Sequence, residues 1–305
     1  GSTIQRTTPV LVPGITATRI AVGGRTALLT GTGMSFALRS DGALVRWGTQ
    51  ATSPIVLGIF PGALDMVCGE NFVLVIDANR QVWSWGANDS GQLGYATADP
   101  RPLAAAQPVP GVTSIAAIAA GGGGTAVAVD AQGRLRSWGS NSNGQLGIPQ
   151  QLTRSVPSTV AGLTNATQVS AGGNGRNQTG FALALRGDGS LWGWGAARAL
   201  GSSSFGSSSS TPIPITLNYC GPTEIPVTGV TQVSAGGGHV LALRDNGTVL
   251  ALARFARRLT DANAPVTLLL VVAQGPAAEV LKEHMPSSGR LFEHIELPGL
   301  GEEEV

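Results

Sequence analysis

Four times along this chain a Trp-Gly pair stands six residues after a turn signal. The pairs are Trp47-Gly48, Trp85-Gly86, Trp138-Gly139 and Trp194-Gly195. The turn positions ahead of them are Asp41, Asn79, Gln132 and Asp188, followed by Gly42, Arg80, Gly133 and Gly189. A further turn, Asn246-Gly247, keeps the same frame, and the turns recur at intervals of 38, 53, 56 and 58 residues. Self-similarity at such a period marks a chain of supersecondary units, each of which buries its apolar face only by stacking on its neighbours.

Each unit has a local logic. Asp-Gly and Asn-Gly supply the positive φ angles that a two-residue hairpin demands. Apolar strands are expected before the turns, at residues 35–39, 72–77, 125–130, 180–186 and 239–244. An alternating strand ending in Trp follows, as in Leu191-Trp192-Gly193-Trp194. Upstream lie small-residue stretches at 119–124, 170–173 and 234–238. Glycine there allows backbones to approach closely. One unit therefore reads as about four short strands, and the fold class as all-β. The recurring Trp47, Trp85, Trp138 and Trp194 are expected between units, while Trp83 and Trp192, alternating with them, are expected to face the other way.

The run Ser84-Trp85-Gly86-Ala87-Asn88-Asp89-Ser90-Gly91-Gln92-Leu93-Gly94 returns as Ser137-Trp138-Gly139-Ser140-Asn141-Ser142-Asn143-Gly144-Gln145-Leu146-Gly147. Its upstream half stands at Ser234-Ala235-Gly236-Gly237-Gly238-His239-Val240-Leu241-Ala242-Leu243. This pattern resembles the signature of the regulator of chromosome condensation repeat, over about residues 8–250. The resemblance implies a β-propeller, seven-bladed in complete family members. It makes His239 a structural repeat position.

The chain departs from that pattern. It has four complete units and part of a fifth, so an incomplete propeller, an open or irregular arc, is expected. The first unit carries extra residues around 25–34, and the fourth keeps only Leu200-Gly201 of its Gly-Gln-Leu-Gly. The fifth has Leu252-Ala253 where Trp-Gly is due. Thr8-Pro9-Val10-Leu11-Val12-Pro13-Gly14-Ile15 matches the close of other units, such as Gln107-Pro108-Val109-Pro110-Gly111-Val112, so the start reads as internal to a repeat array and the chain as a fragment. Residues 1–250 are assigned to the propeller and 251–305 to a short α/β-like tail. In that tail a helix is expected at 251–259, a strand at 266–272, a helix at 276–285 and a strand at 290–297. A charge shift supports the boundary: residues 1–250 carry 14 Arg, no Lys and 10 acids, whereas 251–305 carry four Arg, Lys282 and eight acids.

Composition narrows the function. The net charge of +1 gives no general nucleic-acid surface, and no apolar run is long enough for a spanning helix. The two cysteines, Cys68 and Cys220, read as unpaired, with Cys68 in a strand. Of the three histidines, His284 and His294 fall in the tail beside glutamates and read as a solvated face. The 121–124 glycine run lacks the Gly-Lys-Ser/Thr ending of a phosphate loop and precedes a strand. No catalytic constellation, metal or cofactor is expected. An Arg-rich, nearly Lys-free composition points to a GC-rich, bacterial genome, and the Ser/Thr/Gly-rich loops favour a secreted or surface location over the cytoplasm.

The leading expectation is a non-catalytic protein–protein interaction scaffold. The resemblance also implies an alternative, guanine-nucleotide exchange on a small GTPase. A ligand-binding or enzymatic tail is the third. Partner contacts are expected from rim loops, at Tyr95, Arg101 and Arg154, and at Phe205 and Tyr219 in a long loop spanning 202–226. An oligomer covering open blade faces is a further expectation.

Overall fold

The computed structural model describes residues 11–26, 31–48, 51–96, 105–150, 153–173, 180–196, 208–217, 225–255 and 266–272. The hairpin turns come first in the logic of the fold. At each of them an N–H donates back three residues: Gly42 to Arg39, Arg80 to Asp77, Gly133 to Asp130, Gly189 to Arg186 and Gly247 to Arg244, at 2.9–3.0 Å. Only the third loop residue has positive φ, between 60° at Arg80 and 84° at Gly42. These are three-residue loops, a type I turn closed by one left-handed residue, and not the expected two-residue turns. With a single left-handed position to fill, Arg80 can replace glycine at modest strain.

A carboxylate or amide caps each loop from one of two places. Asp77 and Asp130 stand at the first turn position and accept from the N–H groups of Asn79 and Gln81, and of Gln132 and Arg134, at 2.8–3.0 Å. Where that position is Arg39, Arg186 or Arg244, the cap moves to Asp41, Asp188 or Asn246, which accepts from Ala43, Ser190 or Thr248 at 3.0 Å. Burial alone would raise the pKa of Asp130, but the Arg134 and Gln132 N–H groups and the Arg134 guanidinium hold it below the ordinary range.

The turns organise five four-stranded antiparallel sheets. Blade 1 comprises β1 (Ala17–Thr26), β2 (Gly31–Arg39), β3 (Ala43–Gly48) and β4 (Ala51–Ile59). Blade 2 comprises β5 (Asp65–Cys68), β6 (Phe72–Ile76), β7 (Val82–Gly86) and β8 (Gln107–Pro108). Blade 3 comprises β9 (Ile115–Gly121), β10 (Thr125–Asp130), β11 (Leu135–Gly139) and β12 (Arg154–Thr159). Blade 4 comprises β13 (Ala166–Gly172), β14 (Phe181–Arg186), β15 (Leu191–Ala196) and β16 (Ser208–Pro214), followed by a two-stranded arm of β17 (Thr216–Leu217) and β18 (Ile225–Pro226). Blade 5 comprises β19 (Val230–Ala235), β20 (His239–Arg244), β21 (Val249–Phe255) and β22 (Val266–Val272). The first strand of each blade touches that of the next, β1 to β5, β5 to β9, β9 to β13 and β13 to β19. This is the all-β propeller architecture that the repeat predicts. The first unit's extra residues lengthen its inner hairpin, pairing Gly24 with Gly33 and Thr26 with Gly31.

Three expectations change. Residues 251–255, read as the start of a helix, complete β21; residues 256–259 lie outside the described residues. The exposed edge of β20 offers a ladder that overrides the helical preference of Ala and Leu. Val266–Val272 then pairs antiparallel with β21, from Val249 opposite Val272 to Phe255 opposite Val266, so the fifth unit has its fourth strand and the boundary at 250 falls inside a blade. The helix expected at 276–285 and the strand at 290–297 lie outside the described residues. Finally, much of the long loop 202–226 is strand: β16 pairs along β15, and Ile215 beyond it is buried.

Cores lie between blades. Phe36, Leu38 and Leu44 of blade 1 meet Met66, Val73 and Trp85 of blade 2. Leu74 and Ile76 meet Ile118 and Trp138. Val127 and Val129 meet Val169 and Trp194. Leu183 and Leu185 meet Val233 and Val240. Trp83 and Trp192 pack on the same sides as Trp85 and Trp194, against the expectation that they face away. A spacing of two along a strand returns a side chain to the same face. Trp83 is half-buried, edge-on to Phe60 at 5.4 Å, with its Nε1–H donating to Asp77 Oδ2 at 2.8 Å.

Trp138→Ala should therefore cost about 3–5 kcal/mol, as truncation of a fully buried Trp does. Trp83→Ala should cost clearly less. Urea unfolding of both variants measures this; equal midpoints would contradict the assignment of Trp138 to the joint.

Candidate functional site

Antiparallel order divides each blade's connections between two rims. Hairpin turns and blade-to-blade crossovers lie on one. The other carries the links from first to second strand and the longer links from third to fourth. On that second rim the Gly-Gln-Leu-Gly loops build the joints.

The loop at Asn88–Gly94 is held by its own side chains. Asn88 Oδ1 accepts from the Leu93 N–H at 3.0 Å and its Nδ2 donates to the Tyr95 carbonyl at 3.1 Å. Ser84 Oγ donates to the Leu93 carbonyl at 2.8 Å. Gln92, buried, accepts from the Ser90 N–H at 2.8 Å and donates to Asp89 Oδ1 at 2.7 Å. Its carbonyl is thereby aimed at the next blade, where it accepts the Trp138 Nε1–H at 2.9 Å. The next copy repeats this: Asn141 caps Leu146, Ser137 bonds the Leu146 carbonyl, and Gln145's carbonyl accepts the Trp194 Nε1–H at 2.9 Å. Gly94, with φ of +78°, lies beneath the indole; a Cβ there would sit 2.6 Å from Val109 Cγ1 and 2.9 Å from Trp138 Nε1. The signature residues thus act as fasteners. Trp85, facing the first blade, is covered by Phe36, at 6.2 Å between ring centroids, and by the Arg46 guanidinium at 5.2 Å.

Between the loops of blades 2 and 3 the rim opens into a cleft of about 200 Å³, lined among others by Glu70, Asn71, Asp89, Ser90, Ser140 and Ser142. Among the described residues, two carboxylates and no Lys or Arg line it. Sequence reasoning passed over this cleft because small polar loop residues carry no motif.

Of the sequence-predicted contact residues, two are described. Tyr95 is half-buried and packs on the core between blades 2 and 3. Arg154 opens β12 beside the Gly91 turn, donates through Nη2 to Gln150 Oε1, and has a buried Nε with no hydrogen-bond partner. Arg101, Phe205 and Tyr219 lie outside the described residues, as do Cys220, His284 and His294. His239 is exposed on β20, its ring over Gly236, where a Cβ would meet it at 2.5 Å. Its register equivalents, Phe72, Thr125 and Phe181, are buried. Among the described residues there is no group of three or more His, Cys, Asp or Glu side chains placed to hold a metal, and no helix long and apolar enough to cross a membrane.

Cys68 lies in β5, unpaired, against the core between blades 1 and 2. Burial pushes its thiol far above the ordinary value of 9.0. A raised native pKa contributes stability that is complete below the unfolded thiol's value and is lost as pH rises past it. In a Cys220→Ser background, native Cys68 should react with iodoacetamide at least about tenfold slower than in denaturant. The melting temperature should fall above about pH 9 and this fall should be smaller in Cys68→Ala; matching reaction rates would refute the buried, protonated thiol.

Comparison with known proteins agrees with this geometry. Residues 81–128 and 132–175 match the regulator of chromosome condensation (RCC1) repeat model, and a second model of the same repeat matches 64–92, 112–145 and 230–251. Among curated relatives, the mitochondrial RCC1 domain-containing protein RUG3 of Arabidopsis thaliana is 28% identical over 58% of this chain and 39% of its own. The ultraviolet-B receptor UVR8 of the same plant is 26% identical over 72% of this chain and 51% of its own. The human RCC1 domain-containing protein 1 is 35% identical over 39% of this chain and 31% of its own. The chain spans about half or less of the length of these relatives. Among solved structures, human WBSCR16 superposes with a TM-score of 0.64 at 19% identity, over 90% of this chain and 71% of that one. Prp20p of Saccharomyces cerevisiae, in a structure titled for its binding to Gsp1p and histones, superposes at 0.59 and 19% identity, over 80% and 62%.

Proposed function

Because the chain belongs to the regulator of chromosome condensation repeat family, we propose that it is a non-catalytic scaffold that binds a protein partner through the loop rim bearing the Gly-Gln-Leu-Gly turns. The observation that carries this reading is the division of labour along each unit. The Trp, Gln, Asn and Ser of the signature are spent on joining blades. The links between these fasteners can vary without disturbing the joints, and loops on a rigid frame are where recognition concentrates. The cleft lined by Asp89, Ser90, Ser140 and Ser142 offers polar groups to a side chain of a protein partner. Arg154 places a guanidinium, steadied by Gln150, at the neighbouring edge. Tyr95 contributes from the same loop, and Arg101, Phe205 and Tyr219 extend the set along the chain.

The test is capture from a native lysate, followed by alanine variants of Tyr95, Arg101, Arg154, Phe205 and Tyr219 against the captured protein. At least one should weaken binding by about fivefold or more, the loss of one contact worth about 1 kcal/mol. If all five keep wild-type affinity while truncation after Val272 abolishes binding, recognition belongs to the C-terminal segment. If the captured protein is a small GTPase and the chain accelerates its nucleotide release, the scaffold reading gives way to exchange.

A further inference from the structure

Four segments of the loop rim converge on the cleft of about 200 Å³ between blades 2 and 3: the β5–β6 link, the β9–β10 link and the two Gly-Gln-Leu-Gly loops. The two copies of the repeat signature supply its floor. Gln92 and Gln145 are 3% and 1% exposed, yet both line it. Each Nε2 spends one hydrogen on its own loop, Gln92 on Asp89 Oδ1 at 2.7 Å and Gln145 on Ser140 Oγ at 3.2 Å. A carboxamide nitrogen carries two hydrogens, so both buried amides keep an unspent donor beside the cleft.

The walls add further groups that the fold does not use. Among the described residues, the Asn71 carboxamide, the Ser90 hydroxyl, Asp89 Oδ2 and the Ser140 O–H have no hydrogen-bond partner, and all four side chains line the cleft. Gly123 keeps the opening wide: a Cβ there would meet nothing within 4 Å.

This lining selects a chemistry. Among the described residues no Lys or Arg is present to hold an anion. Glu70 already has a partner and Asp89 Oδ1 is held by Gln92, so no pair of idle carboxylates stands ready for a cation. Phe72, the aromatic side chain in the lining, is 1% exposed and gives an apolar ligand no surface. The groups that remain both donate and accept, from several directions, and hydroxyls on a ligand do the same. The volume lies below the range of about 300–1,000 Å³ that drug-sized ligands fill, so a single ring suffices.

We propose that this cleft binds a monosaccharide, a neutral ring whose adjacent hydroxyls donate to Asp89 Oδ2 and accept from the spare amide hydrogens of Gln92 and Gln145 and from Asn71. The ligand is a small molecule, which goes beyond the protein-binding reading of the rim and does not depend on it.

Titration of the full chain with D-glucose, D-galactose, D-mannose and N-acetyl-D-glucosamine, followed by saturation-transfer NMR, tests the proposal. At least one sugar should bind saturably with a Kd on the order of 1–10 mM, the scale that a few solvent-facing hydrogen bonds support. Asn71→Ala removes an amide that holds nothing in the fold, so it should keep the melting temperature and weaken binding about fivefold or more. Ser142→Trp, at an exposed position in the lining, should abolish binding by filling the cleft while the chain stays folded. The proposal is overturned if no sugar saturates by about 50 mM, or if binding survives both substitutions unchanged. It is equally overturned if L-argininamide binds with the same sensitivity to Asn71→Ala and the sugars do not, because the occupant is then a cationic side chain. A protein captured from lysate without any sugar response leaves the rim reading standing and removes this one alone.

Discussion

The indole N–H of one blade reaching a backbone carbonyl of the blade before it is the bond on which the rest of the structure turns. A four-stranded sheet this short has two apolar faces and cannot fold alone. Packing supplies the energy of the joint, but packing is not directional and would let adjacent sheets slide. The Trp138–Gln92 and Trp194–Gln145 bonds fix the angle and depth at which one sheet meets the next. They are buried, so leaving either group unpaired would cost the desolvation of that group, about 1–3 kcal/mol. That penalty discriminates against misaligned stacking more strongly than the bond itself stabilises.

Several features of the chain follow from this joint. The Gln side chain folds back on its own loop, so that its backbone carbonyl points outward. The neighbouring Asn holds that loop in shape, and Gly94 and Gly147 leave room for the next indole. At the joint of blades 1 and 2, an aromatic edge and a guanidinium pack over Trp85. The inner strands are joined in a second way between blades 4 and 5: Gln168 Oε1 and Ser170 Oγ accept from the Val233 and Ala235 N–H groups at 2.9 Å.

The residues that make joints and hairpins were legible in the sequence, because both depend on particular side chains at fixed spacing. The second and third strands of each unit could be placed from Phe72, Thr125 or His239 at one end and the Trp-Gly pair at the other. The outermost strands of blades 1 to 4 could not, whereas Val266–Val272 of blade 5 stood out as an apolar run. β8 is Gln107–Pro108, and β12 and β16 contain Pro157, Pro212 and Pro214, residues an edge strand tolerates because one side of its backbone needs no partner. Residues 251–255 differ from their local preference for a related reason: their composition favours helix, and the edge of β20 makes them strand. On the rim, aromatic and Arg residues drew attention by type, yet Tyr95 is half committed to a joint. The acidic cleft is built from residues whose meaning comes only from how neighbouring loops converge.

The linear succession of blades also governs how the molecule comes apart. Among the described residues, each of blades 2, 3 and 4 is held by two joints, whereas blades 1 and 5 are each held by one. Stability in such an array is close to a sum of nearest-neighbour couplings, so the ends open at lower free energy than the middle. Amide exchange in the strands of blade 3 then reports something near whole-molecule unfolding, and exchange in β1 and β20 reports fraying. The molecule resembles a zipper closed at its centre.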